Sequence, residues 1–253
     1  MSELIKKIKE KREFSGLPGS LVSRVLEMRG IKNKDDLEKI KLSRAFLRKY
    51  FGVFLTNKVL KLKTKDILGS HISSHKRDYV QLYEKIFGGE KFFESVIDLG
   101  CGVNGFSYGY LREFVGDVNY VGVEATKQLV DKLNEYFSQS GFEKASAKCI
   151  DLFDLSSVVD IIMRSKEPKI IFMFQVLDAL ESIEGDFSKK LLFGVREEMG
   201  KNDRIVLSFS MKSISGRTRF KSNKEWVVQF LRDNFTIVDE FYMFDERFLI
   251  VKK

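Results

Sequence analysis

The chain has 253 residues, of which 43% are hydrophobic and 32% are charged. It therefore has enough apolar side chains for a folded core and is not expected to be intrinsically disordered. Two cysteines are too few for a disulfide framework, so we expect a reduced, cytoplasmic protein. Apolar runs stay shorter than the roughly 18 residues of a membrane span, and the charged stretch 1–14 lacks the apolar core of a signal peptide. We expect no membrane partner.

Positive charge is concentrated in the first third of the chain. The whole chain has 44 basic and 36 acidic residues, a net charge of +8. Residues 1–90 contain 21 of the basic and 11 of the acidic ones, a net charge of +10, which leaves −2 for residues 91–253. This asymmetry indicates a polyanion-binding segment joined to a nearly neutral domain. The alternative is an ordinary lysine-rich helical surface in contact with water.

The basic segment is predicted to be helical, because its apolar residues recur at helical spacing. The three predicted helices are 3–12, a second that Pro18 and Ser20 open and Gly30 ends, and a third after the candidate N-cap Asn33, with apolar positions Leu37, Ile40, Leu47 and Phe51. We expect residues 1–68 to form a small helical domain and residues 69–253 to form a second, larger domain.

In the second domain, a predicted helix from Ser74 to Phe87 leads into β-rich runs that alternate with helical stretches. The runs are 95–100, 119–125, 145–150, 169–176 and 204–210, and the helical stretches lie near 106–115, 126–140, 155–165, 187–199 and 222–234. Such alternation predicts a parallel sheet with helices on both faces. Only Asp245 and Glu246 separate the last two β-rich runs, which predicts a terminal hairpin. The pattern indicates an α/β, Rossmann-like class I methyltransferase fold.

A glycine-rich turn after the first run carries the main site signal. Gly100, Gly102 and Gly105 follow an apolar strand and precede a helix, where ligands of open α/β sheets bind. These glycines would also fit a dinucleotide fingerprint. Asp98, just before them, suits a cofactor with an ammonium group rather than a pyrophosphate, which predicts S-adenosyl-L-methionine. The alternative is an ordinary tight turn. Cys101, between two of the glycines, is a small residue of this candidate site.

Later strand ends add further candidate cofactor contacts. Glu124 ends the second run, where an acid can accept both ribose hydroxyls, and Ala125 follows it. Asp151 follows the third run, where an Asp commonly contacts the adenine amino group in this fold, and Leu152 lies beside it. The alternatives are an exposed strand-end acid for the first and a helix N-cap for the second. Gln175 ends the fourth run, where side chains face the reacting methyl group.

Several stretches of the chain carry family motifs. They are HISSHKR at 71–77, similar to H-x-S-T-x-E-R; DLGCGVN at 98–104, similar to D-L-A-C-G-x-N; LDALE at 177–181, similar to L-P-C-L-E; and SFSMKSISGR at 208–217, similar to S-F-P-T-K-S-L-x-G-R. By these motifs the chain resembles the aminoglycoside-resistance 16S ribosomal RNA (guanine-N7) methyltransferases. Lys76 and Ser210 replace the family's Glu and Pro, which indicates a divergent member.

The resemblance implies roles for residues in these motifs. In that family the Arg of the first motif pairs with the methionyl carboxylate, which carries over to Arg77, and His71 is assigned to the cofactor site. Lys212, Ser213 and Arg217 follow the fifth run and would contact the target nucleotide; a solvated basic loop is the alternative. The two histidines of the chain have no evident third ligand beside them, so we expect no metal.

The resemblance also implies methyl transfer to N7 of a guanine in small-subunit ribosomal RNA. This nitrogen has a free lone pair and carries no proton, so positioning and electrostatics suffice. The basic helices would dock on RNA phosphates; the candidates are Lys7, Lys11, Arg12, Arg48 and Lys49. We expect a monomer. The alternatives are a methyltransferase of a small molecule or protein, and a non-catalytic RNA-binding or ribosome-assembly factor that keeps a cofactor pocket.

Overall fold

A seven-stranded sheet forms the centre of the molecule, a computed structural model that describes residues 1–51, 67–68, 76–88, 92–211 and 225–253. The strands are β1 (Ser95–Leu99), β2 (Asn119–Glu124), β3 (Ala145–Cys149), β4 (Lys169–Phe174), β5 (Arg204–Ser210), β6 (Thr236–Met243) and β7 (Glu246–Lys252). Their order is β3-β2-β1-β4-β5-β7-β6. The first five are parallel, and β7 is antiparallel to both of its neighbours. The predicted class I methyltransferase fold is confirmed.

Helices cover the sheet and extend it on the N-terminal side. They are α1 (Ser2–Lys9), α2 (Gly19–Glu27), α3 (Asp36–Tyr50), α4 (Tyr79–Phe87), α5 (Tyr108–Val115), α6 (Lys127–Gln139), α7 (Leu155–Arg164), α8 (Leu177–Ile183), α9 (Phe187–Glu197) and α10 (Glu225–Asn234). Within the described ranges, none is both long and apolar enough to cross a lipid bilayer. The short α8 was not predicted as a helix.

The two faces of the sheet bury separate apolar clusters. Alternate residues of a strand point to opposite faces, so Ile97 of β1 and Ile171 of β4 join one cluster while Val96 and Ile170 join the other. All residues of β1 and β4 are buried. Both faces of these strands are covered, so most of their residues are apolar. The buried charged exceptions are Asp98 of β1 and Lys169 of β4.

The terminal hairpin turns one residue earlier than predicted. Phe244 and Asp245 occupy the turn, with φ of 56° and 62°, as a two-residue type I′ turn requires. Glu246 pairs with Met243 across the hairpin and with Ser210 of β5, so it is the first residue of β7 rather than a turn residue. The antiparallel hairpin itself is confirmed.

The third predicted helix starts at a different cap. Asp35, not Asn33, is the N-cap of α3, and its side chain accepts a hydrogen bond of 2.9 Å from the backbone N–H of Glu38. A cap whose carboxylate accepts from the residue three positions on satisfies a free N–H at the helix start. Leu37, predicted as an apolar core position, is 81% exposed.

Helix α4 also begins later than predicted. It starts at Tyr79 rather than Ser74, and Asp78 caps it by accepting from the N–H of Gln81 at 3.1 Å. Ser74 itself lies outside the described residues, whereas Lys76 and Arg77 precede the helix in non-helical conformation. Arg77 is therefore placed by the segment that enters the helix and not by a helix face.

The N-terminal helices pack against the sheet domain. Phe14 and Leu47 belong to the same apolar cluster as Ile97 of β1. Arg24 of α2 forms an ion pair with Glu184 at 2.8 Å. The hydroxyl groups of Tyr50 and Ser182 lie 2.7 Å apart. The division of the chain at residue 68 stays a prediction.

Candidate cofactor site

The glycine-rich turn lies at the carboxyl end of β1, in the middle of the sheet. Gly100 and Gly102 have φ of 70° and 50°, a backbone region that favours glycine. A Cβ atom on Gly100 would lie 2.6 Å from Cγ2 of Val176 and 3.5 Å from Cδ1 of Leu152. The backbone N–H groups of Gly100 and Cys101 both donate to the carbonyl of Val123. These hydrogen bonds hold the turn against β2. The predicted residue Leu152 lies close to Gly100.

Asp98 is a buried carboxylate with one unused oxygen. Its Oδ2 accepts hydrogen bonds from Asn104 Nδ2 at 2.7 Å and from the Tyr120 hydroxyl at 2.9 Å, whereas Oδ1 has no partner among the described residues. Burial raises its pKa to about 6, against the hydrogen bonds from Asn104 and Tyr120 and the charge of Arg77. A buried polar atom without a partner is costly. An ammonium group would supply the missing donors and the opposite charge, so Asp98 fits the methionyl ammonium of S-adenosyl-L-methionine.

Glu124 ends β2 and receives two backbone donors. Its Oε2 accepts from the N–H of Gly102 at 3.2 Å and its Oε1 from the N–H of Thr126 at 2.9 Å. Burial raises the pKa of the carboxyl group, and these N–H groups lower it. Each carboxylate oxygen can accept more than one hydrogen bond, so both remain able to accept from ribose hydroxyls. Ala125 follows and is half-buried.

Asp151 is held by the N-terminal helices. Its Oδ1 accepts from the N–H of Phe153 at 3.1 Å, and its Oδ2 accepts from the hydroxyl of Ser20, at the start of α2, also at 3.1 Å. Burial raises the pKa of Asp151, while these hydrogen bonds and the charge of Arg24 lower it. Ser20 of the N-terminal helices thus contacts the residue that is predicted to bind adenine. Nothing in the sequence pattern indicated this contact.

Gln175 lies immediately after β4 in a strained backbone conformation. Its φ is 55°, which is uncommon for a residue other than glycine and concentrates at functional sites. The backbone N–H of Gln175 donates to the carbonyl of Ser208 at 3.0 Å, which holds the residue against β5. The strain is consistent with the predicted position of Gln175 at the reacting methyl group, which stays a prediction.

Arg77 is bound by a carboxylate of the chain itself. Its Nε and Nη2 donate to Oε1 and Oε2 of Glu246 at 2.8 and 2.9 Å. Both side chains are buried, with exposed fractions of 4% and 2%. The guanidinium carbon lies 5.2 Å from the ring centre of Phe174, the last residue of β4. Glu246 was missed because it was predicted as a turn residue, 169 positions from its partner.

Cys101 is buried in the glycine turn. Burial raises its pKa well above the ordinary value, and the negative charges of Asp98 and Glu124 add to the effect. It is therefore a protonated thiol and not an activated nucleophile, since the thiolate is the reactive form. This agrees with its prediction as a small residue of the site. Among the described residues, no three or more His, Cys, Asp or Glu side chains form a group that could hold a metal ion.

Comparison with known proteins supports the family resemblance that the motifs indicate. No family model matches the chain. It is 25% identical over 193 residues to the 16S rRNA (guanine(1405)-N(7))-methyltransferase of Proteus mirabilis, covering 74% of this chain and 64% of that protein. The chain is similar to 16S ribosomal RNA methyltransferases. The resemblance predicted from the motifs is confirmed, although the chain spans less than two thirds of the length of this curated relative.

Solved structures of 16S ribosomal RNA methyltransferases share the fold. The 16S rRNA methylase RmtB superposes with a TM-score of 0.72 at 18% identity, covering 100% of this chain and 98% of that chain. The 16S rRNA methyltransferase RmtF in complex with S-adenosyl-L-homocysteine superposes with a TM-score of 0.74 at 19% identity, covering 100% and 97%. The likeness extends over the N-terminal helices as well as the sheet domain, since the whole chain is covered.

The predicted RNA contacts are only partly free for a ligand. Lys7 is paired with Glu3 at 3.3 Å, and Arg48 forms an ion pair with Glu13. The ammonium group of Lys49 lies 4.8 Å from the ring centre of Tyr50. Lys11 and Arg12 are exposed between α1 and α2. The predicted residues His71, Lys212, Ser213 and Arg217 lie outside the described residues.

Proposed function

We propose that the chain is an S-adenosyl-L-methionine-dependent methyltransferase that modifies a ring nitrogen, guanine N7, of small-subunit ribosomal RNA. The observation that carries the proposal is the unpartnered Oδ1 of buried Asp98, two residues before Gly100, a turn residue at which a side chain would collide with Val176. A buried carboxylate oxygen at the carboxyl end of a central strand calls for a cationic ligand. The relative that is named a 16S rRNA (guanine-N7) methyltransferase supports the choice of reaction.

Four acidic or basic side chains would hold the cofactor. Asp98 would bind the ammonium group, Glu124 the ribose hydroxyls and Asp151 the adenine amino group. Arg77 would bind the methionyl carboxylate through the guanidinium N–H groups that Glu246 leaves free, because Glu246 takes only the Nε and Nη2 edge. Asp98 and Glu124 lie at the carboxyl ends of β1 and β2, Asp151 follows β3, and Arg77 precedes α4. The carboxyl edge of a parallel sheet is where such folds bind their ligands.

The bound cofactor would supply a methyl group on a positively charged sulfur. Guanine N7 needs no base to remove a proton, so the chain has to align the two reactants and exclude water. Gln175, held in its strained conformation by Ser208, is the candidate to line this position. Cys101 takes no part as a nucleophile, because its thiol is buried and protonated.

The basic N-terminal helices would dock the ribosomal RNA. Their excess of positive charge suits phosphate contacts, which supply affinity without reading sequence. The exposed side chains of Lys11 and Arg12 are the first candidates for these contacts. Lys212, Ser213 and Arg217 would contact the target nucleotide. We further propose that the protein acts in the cytoplasm as a monomer and without a metal ion.

Calorimetry and methyl incorporation test this proposal together. We expect S-adenosyl-L-methionine to bind, and radiolabelled methyl groups to enter 16S rRNA in assembled 30S particles or as naked RNA, with the position mapped by primer extension. Asp98→Asn keeps the shape of the side chain but removes its charge, and should weaken cofactor binding. Cofactor binding without incorporation into any RNA would favour a non-catalytic assembly factor, and absence of cofactor binding would refute the proposal.

A further inference from the structure

Glu246 forms a buried three-way contact at one end of the cofactor cleft. Its carboxylate accepts both hydrogen bonds from Arg77, and its Oε2 also accepts from the hydroxyl of Ser208 at 2.7 Å. Glu246 and Ser208 are on neighbouring strands, β7 and β5. Arg77 comes from a distant part of the chain and stacks on Phe174 at the end of β4. The guanidinium is therefore held along one edge by Glu246 and on one face by Phe174.

The carboxylate of Glu246 occupies two of the N–H donors of Arg77. Arginine has five N–H donors in a rigid plane, and Glu246 uses the Nε and one Nη2 donor of Arg77. Burial on its own lowers the pKa of Arg77, and the interactions with Glu246 and Tyr79 together more than offset this, so the pKa is raised. Arg77 thus stays charged, and Glu246 cancels its charge at close range.

The buried ionised groups of this site carry a net negative charge, to which Glu246 contributes one unit. Asp98, Glu124 and Glu246 are three buried carboxylates, and Arg77 is the one guanidinium among these four groups. Without Glu246 the excess of negative charge would be halved. A methyl donor of the sulfonium type carries a net charge of +1 from its ammonium, carboxylate and sulfonium groups, and its demethylated product, a thioether, is neutral overall. The two ligands differ at the reacting sulfur by one methyl group and one unit of charge.

We propose that Glu246 is a specificity-determining residue of the cofactor site. It fixes Arg77 for the carboxylate that donor and product share, and its negative charge makes the cleft prefer the cationic donor to the neutral product. This inference rests on the proposed function, because it takes the sulfonium donor as the ligand. The physical basis is that charges interact over several ångströms in a poorly screened, buried site.

The test is the ratio of two dissociation constants, for S-adenosyl-L-homocysteine and S-adenosyl-L-methionine, measured by calorimetry. Glu246→Gln should lower this ratio on the order of tenfold, as expected for removing a unit charge in a partly buried site. Ser208→Ala is the matched control: it removes a hydrogen bond to the same carboxylate but keeps the charge, so the ratio should stay at the wild-type value. Damage to the fold alone would weaken both ligands equally and leave the ratio unchanged.

Arg77→Gln provides a second variant in case Glu246→Gln does not fold. It keeps the carboxylate and removes the guanidinium, so at pH 8 both ligands should bind more weakly while the ratio rises above the wild-type value. An unchanged ratio in either folded variant would overturn the role of Glu246 and leave the proposed function intact. Failure of the wild-type protein to bind both ligands would instead refute the proposed function.

Discussion

The hydroxyl of Ser20, at the start of α2, donates a hydrogen bond of 3.1 Å to Oδ2 of Asp151, 131 residues further along the chain. It joins the basic N-terminal helices to the residue predicted to contact adenine. Nearby, Arg24 of the same helix pairs with Glu184 and lies 4.8 Å from the ring centre of Phe153. The N-terminal helices are thus in direct contact with the candidate cofactor site.

Loss of the Ser20 hydroxyl should weaken cofactor binding. Ser20→Ala frees Asp151 to rotate, and the net contribution of one hydrogen bond, about 0.5–1.5 kcal/mol, corresponds to roughly a two- to tenfold loss of affinity for S-adenosyl-L-methionine. Calorimetry measures the change. Ser23→Ala on the same helix is the control and should leave the affinity unaltered. Equal effects of the two substitutions would mean that the helix, not the hydrogen bond, matters.

Removal of Arg77 should destabilise the protein even without cofactor. Arg77→Ala leaves Glu246 buried without its partner, and breaking a buried pair in this way typically costs about 3–5 kcal/mol. Urea unfolding of the cofactor-free protein measures the free energy of unfolding.

The adjacent residue offers a matched control for that loss. Lys76 pairs with Asp245 at 2.7 Å, but these side chains are 48% and 37% exposed. Exposed pairs contribute about 0–1 kcal/mol, so Lys76→Ala should change the free energy of unfolding far less than Arg77→Ala. Similar losses for the two variants would contradict the buried character of the Arg77–Glu246 pair.

Cofactor affinity should rise with pH through the pKa of Asp98. Burial raises that pKa to about 6 in the free protein, and the ammonium group of the ligand requires the ionised form. Below pH 6 the affinity for S-adenosyl-L-methionine should fall by up to about tenfold per pH unit. Calorimetry at pH 5, 6 and 7 measures it. Asp98→Asn should bind weakly and lose this part of the pH dependence; constant wild-type affinity from pH 5 to 7 would rule the assignment out.

The same pKa has the opposite consequence for the cofactor-free fold. Because the folded pKa lies above the ordinary value of 3.8, the folded protein binds more protons than the unfolded chain between about pH 4 and 6. The contribution of Asp98 to stability is therefore fully present below pH 4 and is lost as the pH rises through 6. The difference in urea-unfolding free energy between wild type and Asp98→Asn should change with pH in this window, with Asp98→Asn relatively more stable at pH 7 than at pH 4.

Replacing the exposed basic residues Lys11 and Arg12 should weaken RNA binding but not cofactor binding. Lys11→Ala combined with Arg12→Ala should lower the affinity for 16S rRNA and reduce the slope of log affinity against log salt by about 1–2. Filter binding at several salt concentrations measures both. Affinity for S-adenosyl-L-methionine should not change.

A control for this prediction lies at the opposite end of the strands. Lys166 and Lys201 are exposed and precede β4 and β5, at the amino ends of the strands, whereas the cleft lies at their carboxyl ends. Replacing both with Ala removes the same amount of charge and should leave the RNA affinity nearly unaltered. If replacing either pair of basic residues lowers the RNA affinity equally, the docking surface is not confined to the N-terminal helices.

Local sequence patterns determined most of the fold. The strands β1 and β4 could be predicted from their apolar runs, because both faces of these strands are buried. Asp98 and the glycine turn could be predicted because the strand, the turn and the helix follow one another directly in the sequence. The first and last residues of the helices and strands were predicted less accurately. Asp35 replaced Asn33 as a cap, because neighbouring residues of similar capping strength compete and packing selects one of them.

Only the tertiary structure decided which distant side chains meet. Glu246 pairs with Arg77 across 169 positions, and Ser20 meets Asp151 across 131, because strand order and helix packing bring their segments together. Hydrogen-bonding groups of this kind have many possible partners in an unfolded sequence, and no periodicity marks the right one. The sequence by itself thus determined the sheet and the glycine turn and predicted a cationic ligand for Asp98, whereas only the packing of distant segments decided which side chains pair with one another.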